Sequence, residues 1–222
     1  LGEEPDSVVM TGCPSIDIAA EVLVNPALGF DPFKKYGGVG PQGDLSKGYL
    51  VVMQHPVTTE WDEARQQVDE TLYAVQEIGL PVLWFWPNVD AGSDGTSKGI
   101  RVFREQEAAE KFHFFRNMSP EDFLRLLCGA TAIVGNSSVA IRECSFLGVP
   151  AVNVGTRQRG RERGRNVIDV DHDRRAIAGA IREHLRRGRP ETDELYGDGR
   201  SGDRIADALA QCELRIEKRL TY

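Results

Sequence analysis

Three short polar clusters carry the residue types that could do chemistry, and each follows an apolar run. The first is Gln54-His55-Pro56 after Tyr49–Met53, and the second is Pro87-Asn88-Val89-Asp90 after Leu80–Trp86. The third is Asn136-Ser137-Ser138, after the run Ala132–Val134 stops at Gly135. A histidine can donate to an anion or shuttle a proton near neutral pH. Serine hydroxyls and an asparagine amide supply directional donors. When such groups open a helix, its unpaired N–H groups and its dipole add to an anion site. Asn136 or a following serine could equally be a plain helix cap. Asn88 and Asp90 could be turn residues bonding their own backbone. A loop with Arg157, Arg159, Arg161, Arg163 and Arg165 follows the run Ala151–Val154. Arg157 lies nearest the strand end, where a guanidinium fork suits phosphate oxygens.

What must position these groups is an alternation of strand and helix. Ser7–Met10 reads as a short strand, and Pro14 suits the first turn of a helix reaching about Leu23. Asn25–Lys47 is rich in Gly and Pro and shows no clean period. Tyr49–Met53 reads as a strand buried on both faces. After Thr58-Thr59, the residues Trp61, Ala64, Val68, Leu72, Val75 and Ile78 mark one helical face. A helix over about Ser97–Ala109 precedes a strand at Phe112–Phe115. Ser119-Pro120 then caps a helix over Pro120–Cys128. A helix is expected straight after Asn136-Ser137-Ser138. Later strands are Ala151–Val154 and Val167–Val170, with a helix marked by Ile177, Ile181 and Leu185. The last helix starts near Ser201 and carries Ile205, Leu209, Cys212, Ile216 and Leu220.

This alternation predicts a doubly wound α/β fold with a parallel sheet, Rossmann-like in character. In such a sheet, ligands sit outside the carboxyl ends of the strands. His55, Asn88, Met118, Asn136–Ser138 and Arg157 all follow strands, so they converge on one rim. Glu143, in the helix after the serines, could accept from ribose hydroxyls or pair with a nearby arginine. The sequence holds neither G-x-G-x-x-G nor a P-loop.

Composition narrows the partners. A net charge of −7 over 222 residues argues against a nucleic-acid binder. No apolar run approaches membrane-spanning length, so no membrane partner is expected. Cys13, Cys128, Cys144 and Cys212 form no C-x-x-C pair, which suggests a reducing, cytoplasmic setting without a metal site. The chain opens on Leu1 rather than Met, as a fragment would.

With these residues in hand, the chain resembles the hydrolysing UDP-N-acetylglucosamine 2-epimerases of sialic-acid biosynthesis. The resemblance runs through Gly12-Cys13-Pro14-Ser15-Ile16-Asp17, Gln54–Thr59, Pro87–Ser93 and Gly135-Asn136-Ser137-Ser138. It continues in Arg142-Glu143, Gly155-Thr156-Arg157-Gln158, Gly160-Arg161-Glu162, Asn166-Val167 and Tyr196-Gly197-Asp198-Gly199. Non-hydrolysing relatives carry a Thr-Glu-Arg-Pro-Glu-like segment where this chain has Gly-Thr-Arg-Gln.

The resemblance implies the C-terminal domain of a glycosyltransferase-B-type fold. Residues 1–222 would form one nucleotide-binding domain, with 1–12 ending the hinge. The helix in 201–222 would turn towards an N-terminal domain absent from this sequence. The implied reaction removes the C2 proton with loss of UDP, giving 2-acetamidoglucal, and then adds water to give N-acetylmannosamine. No cofactor is implied, and a homo-oligomer is expected. His55, Asn88, Ser137, Ser138, Arg157 and the backbone of Met118 match UDP-holding positions, and Glu143 matches the ribose position. His55 is also the one candidate for a catalytic role, while the family's acidic acid/base groups fall largely in the absent half. Animal members have a feedback site for CMP-sialic acid. Asp94–Gly99 and Arg116-Asn117 depart from that pattern, which leaves feedback open. A glycosyltransferase of the same fold and a non-catalytic nucleotide-sugar sensor are the competing readings.

Overall fold

The strands are short and apolar because helices cover the sheet on both sides. The computed structural model describes residues 5–105 and 109–213. Its strands are β1 (Leu50–Met53), β2 (Val82–Phe85), β3 (Phe112–Phe115), β4 (Ala132–Gly135), β5 (Ala151–Val154) and β6 (Val167–Val170). All pair in parallel, in the order β3-β2-β1-β4-β5-β6. That is the Rossmann order, and its topological switch point lies between β1 and β4. The doubly wound α/β sheet expected from the alternation is therefore the observed one.

Successive side chains of a strand point to opposite faces, and each face has its own core. Val51, Leu83, Phe85, Ile133 and Phe115 pack with α1 (Pro14–Val24), α2 (Pro32–Tyr36), α5 (Pro120–Gly129) and α6 (Glu143–Phe146). Leu50, Val52, Trp84, Phe112, Phe114 and Val134 pack with α3 (Ala64–Ile78), α4 (Ser93–Glu105) and α7 (Arg174–Arg187). A fully buried side chain of this size stabilises the fold by about 1.5–3 kcal/mol. The two cores thus outweigh any single loop contact. The N-terminus of α8 (Ser201–Gln211) is pinned to α1. Asp17 accepts from the N–H groups of Ser201 and Gly202 at 2.9 and 2.6 Å.

Several expected elements differ. Ser7–Met10 is not a strand: a 3₁₀ turn covers Pro5–Ser7, and Val8, Val9 and Met10 are exposed with no strand beside them. Asn25–Lys47 is more ordered than its composition suggests. Asp31 caps α2 through the N–H groups of Phe33 and Lys34. Val39 then bridges antiparallel to Phe114, and the His113 ring contacts the carbonyls of Gly37, Gly40 and Pro41. This segment covers the β3 edge, which would otherwise offer unpaired backbone.

Trp61 is exposed because α3 begins only at Ala64, after a 3₁₀ turn at Thr58–Glu60. Helix α4 begins at Ser93 rather than Ser97, since Gly95 and Gly99 disguise its helical character. The apolar faces of the last two helices are also narrower than expected. Leu185 is exposed in α7, where Ala178 and His184 flank Ile177 and Ile181 instead. Leu209 is exposed in α8, and Ile216 and Leu220 lie outside the described residues. No helix among the described residues is long and apolar enough to cross a membrane.

Candidate functional site

The site begins with a glycine. Gly135 ends β4 at φ +134, and a Cβ there would lie 2.3 Å from the Met53 carbonyl oxygen. Only glycine adopts this conformation without strain and lets the two chain ends at the switch point approach so closely. The approach delivers Asn136 over the end of β1, fully buried. Its Oδ1 accepts from the His55 N–H at 2.7 Å, and its Nδ2 donates to the His55 carbonyl at 2.8 Å.

The Asn136 main chain is also fully engaged. Its N–H donates to the Met53 carbonyl at 3.2 Å. Its carbonyl accepts from Gln158 Nε2 at 2.8 Å and from an Arg157 guanidinium nitrogen at 3.2 Å. The loops after β1, β4 and β5 are therefore tied together through one residue. The loop after β2 joins them, because the Asn88 N–H donates to His55 Nδ1 at 3.1 Å.

That last bond assigns the His55 tautomer. With Nδ1 accepting, the neutral ring carries its proton on Nε2. Burial, and then the charge of Arg157, push its pKa down to about 4, against a smaller pull from Asp90. At neutral pH the ring is uncharged and presents an Nε2–H. Among the described residues Nε2 meets no partner, and the ring lines a cleft of about 1160 Å³ with Asn88, Ser137, Trp86 and Arg116.

Ser137 and Ser138 differ from expectation in one respect. No regular helix follows them, only a 3₁₀ turn at Ser138–Ala140 and then the four-residue α6. The dipole contribution is accordingly small, because a macrodipole needs aligned peptides. Ser137 occupies the N-cap position, but its side chain makes no capping bond. Ser137 lines the cleft instead. Asn136 caps nothing either, and its amide is spent on His55 rather than offered to a ligand.

Ser138 lies behind this surface, accepting from Arg142 at 3.2 Å, and Arg142 also reaches Glu143 Oε1 at 3.4 Å. Glu143 is buried, and among the described residues its Oε2 has no partner. A buried carboxylate oxygen calls for a donor. Met118 closes the rim beyond β3: its side chain sits in the core and its N–H donates to Asn117 Oδ1 at 2.9 Å.

Arg157 lines a neighbouring cleft of about 530 Å³ with Thr58, Thr59, Glu60, Asp90, Thr156 and Arg159. Of the other arginines in the run, Arg163 folds the loop by binding Asp169 and the carbonyls of Arg161 and Gln158. Arg165 pairs with Glu191. Arg157 alone reaches the Asn136 hub. Among the described residues, no cluster of His, Cys, Asp and Glu could hold a metal ion.

The structure thus brings His55, Asn88, Ser137 and Arg157 together directly. Ser138 and Glu143 are joined to each other by Arg142 and line neither cleft, and Met118 stands at the edge. Sequence reasoning missed Asn136 as the organiser and Gln158 as its second clamp. Their signal was position: each sits in a polar cluster directly after a buried strand.

Residues 1–210 match the family model described as UDP-N-acetylglucosamine 2-epimerase. The chain belongs to this family. It is 32% identical over 212 residues to the UDP-N-acetylglucosamine 2-epimerase of Neisseria meningitidis serogroup B, covering 94% of this chain and 53% of that protein. It is 28% identical over 223 residues to the hydrolysing UDP-N,N'-diacetylbacillosamine 2-epimerase of Legionella pneumophila, covering 98% and 55%. The solved structure of the Neisseria meningitidis UDP-GlcNAc 2-epimerase bound to UDP-GlcNAc superposes with a TM-score of 0.69 at 14% identity, over 95% of this chain and 57% of that one. The chain spans about half the length of the curated 2-epimerases it matches.

Proposed function

We propose that this chain is the UDP-holding half of a hydrolysing UDP-GlcNAc 2-epimerase. One observation carries the reading. Around Asn136, at the switch point of the sheet, a neutral His55 with a free Nε2–H, the uncapped Ser137 hydroxyl and the Arg157 guanidinium converge. Directional neutral donors beside one fixed positive charge suit a diphosphate. Buried Glu143, with an unpaired oxygen, suits the ribose hydroxyls. Asn88 fixes the His55 ring, and the Met118 backbone borders the nucleotide.

The reaction breaks the C2–H bond and the C1–O bond to UDP and leaves a C1=C2 double bond in 2-acetamidoglucal. Water then adds across that bond to give free N-acetylmannosamine. Charge grows on the departing phosphate oxygen, and donors already aimed at it lower the barrier. Losing one such donor typically costs about 3–4 kcal/mol. The hydrolysing branch is favoured by Gly155-Thr156-Arg157-Gln158 and by the name of the Legionella relative.

On this reading residues 1–222 act as one nucleotide-binding domain of a glycosyltransferase-B-type pair, with α8 turned towards the other half. The acidic groups that move the C2 proton lie largely outside this chain, with His55 its one candidate for a catalytic role. A homo-oligomer in the cytoplasm belongs to the same reading. The test is to mix the chain with UDP-GlcNAc and follow the sugar by proton NMR. Binding without release of N-acetylmannosamine is expected. Sustained turnover by this chain alone would show that the proton chemistry is contained within it.

A further inference from the structure

A second network reaches Arg157 from the opposite side to Asn136. The Thr156 hydroxyl donates to Glu60 Oε1 across 96 residues of sequence. Glu60 Oε2 accepts from Gln67 Nε2 at 2.8 Å, and Gln54 Nε2 donates to the Gln67 carbonyl at 3.2 Å. The chain of bonds thus runs from the end of β1 through α3 to the residue before Arg157. The Thr156 loop is itself rigid: its carbonyl accepts from the Arg159 N–H at 2.8 Å, and Gly155, at φ +76, lies against the His172 ring.

The charge arrangement is unusual for an anion site. Glu60 lines the same cleft as Arg157 and Arg159, where a carboxylate would normally capture a guanidinium. Here both of its oxygens are filled by neutral donors, a hydroxyl and an amide. Among the described residues neither Glu60 nor Arg157 forms an ion pair. Arg157 is exposed and held by one bond to the Asn136 carbonyl at 3.2 Å, and ordering the backbone of its loop on binding would carry an entropic cost. A loop held at Thr156 reduces that cost.

We propose that Glu60 and Thr156 form a clasp that positions Arg157 for an anionic ligand. The clasp anchors the loop while leaving the guanidinium without an ion pair among the described residues, bonded only to the Asn136 carbonyl. Both are positioning residues, and the inference rests on the reading that Arg157 holds a diphosphate.

The test is calorimetric titration of UDP into this chain and into Thr156→Val, Thr156→Ser, Arg157→Ala and the Thr156→Val/Arg157→Ala double variant. Thr156→Val should weaken UDP binding by about tenfold, and Thr156→Ser should stay within about twofold of the unaltered chain. The double variant should bind no worse than Arg157→Ala, because the clasp acts only through Arg157. Uridine, lacking phosphate, should bind all the variants alike when followed by NMR, whereas general damage to the fold would weaken it too. If Thr156→Val does not fold, Glu60→Ala takes its place in the same cycle. Effects of Thr156→Val and Arg157→Ala that multiply would overturn the clasp, as would wild-type affinity in Thr156→Val with weakened Arg157→Ala. Wild-type affinity in Arg157→Ala would overturn the clasp and the diphosphate role together.

Discussion

Asn136 holds the main chain of His55 at both ends, accepting from its N–H at 2.7 Å and donating to its carbonyl at 2.8 Å. The side chain stands in for a strand partner at the point where the sheet opens. Replacing it with alanine leaves a buried N–H and a buried carbonyl unpaired, each costing about 1–3 kcal/mol. Asn136→Ala should therefore lose about 2–6 kcal/mol in urea unfolding, more than a surface substitution would. It should also weaken UDP binding, since the His55 main chain loses its anchor, whereas the Arg157 contact to the Asn136 main-chain carbonyl is retained. A variant of unchanged stability would show that the hub is not structural.

The glycine before it makes the same point more severely. A methyl at Gly135 meets the Met53 carbonyl, a backbone atom that cannot rotate away, and its φ of +134 is strained for any L-residue. Gly135→Ala is expected to destabilise the chain by more than about 2 kcal/mol, or to prevent folding. Thermal unfolding by circular dichroism checks this.

His55 gives a pH dependence with a defined sign. Its folded pKa of about 4 lies below the ordinary 6.5, so the unfolded chain binds the proton more readily. Stability is then flat above about pH 6.5 and falls as the pH drops towards 4, by about 3 kcal/mol from this group. His172 and His184, also lowered by burial, add in the same direction. Urea midpoints at pH 7 and pH 5 should show the loss, and His55→Gln should reduce the slope. A chain equally stable at both values would contradict the buried, neutral ring.

Ser137→Ala separates binding from capping. Because the Ser137 hydroxyl makes no capping bond, its loss should change stability by less than about 0.5 kcal/mol. Loss of one hydrogen bond to the ligand should cost about 1 kcal/mol, roughly fivefold in UDP affinity. Ser138→Ala should behave differently, since Ser138 also accepts from Arg142 at 3.2 Å and helps orient Glu143. A paired measurement of melting temperature and affinity on both variants distinguishes them.

Much of this was legible in the sequence because the strands are buried on both faces. Tyr49–Met53, Leu80–Trp86 and Ala132–Val134 are continuous apolar runs for that reason, and Ser119-Pro120 announced α5 through its cap. The convergence of His55, Asn88, Ser137 and Arg157 followed once the strands were parallel. What stayed hidden depends on distant partners. Val8, Val9 and Met10 have strand-like side chains but, among the described residues, no strand to pair with. After Ser137 the chain makes a 3₁₀ turn and then a four-residue helix that buries Glu143, and local propensity carries no sign of that break. Asn136 has the same composition whether it caps a helix, binds a phosphate or holds His55. Only the close approach that Gly135 permits selects among these. The Glu60–Thr156 bond joins loops 96 residues apart and leaves no local trace.

The central claim is that this rim holds the diphosphate of UDP, and calorimetric titration of UDP into the folded 222-residue chain tests it most directly. Saturable one-to-one binding that weakens on Arg157→Ala and on Ser137→Ala is the expected result. A folded chain that shows no UDP binding at about millimolar concentration, the weak end of specific recognition, would contradict it.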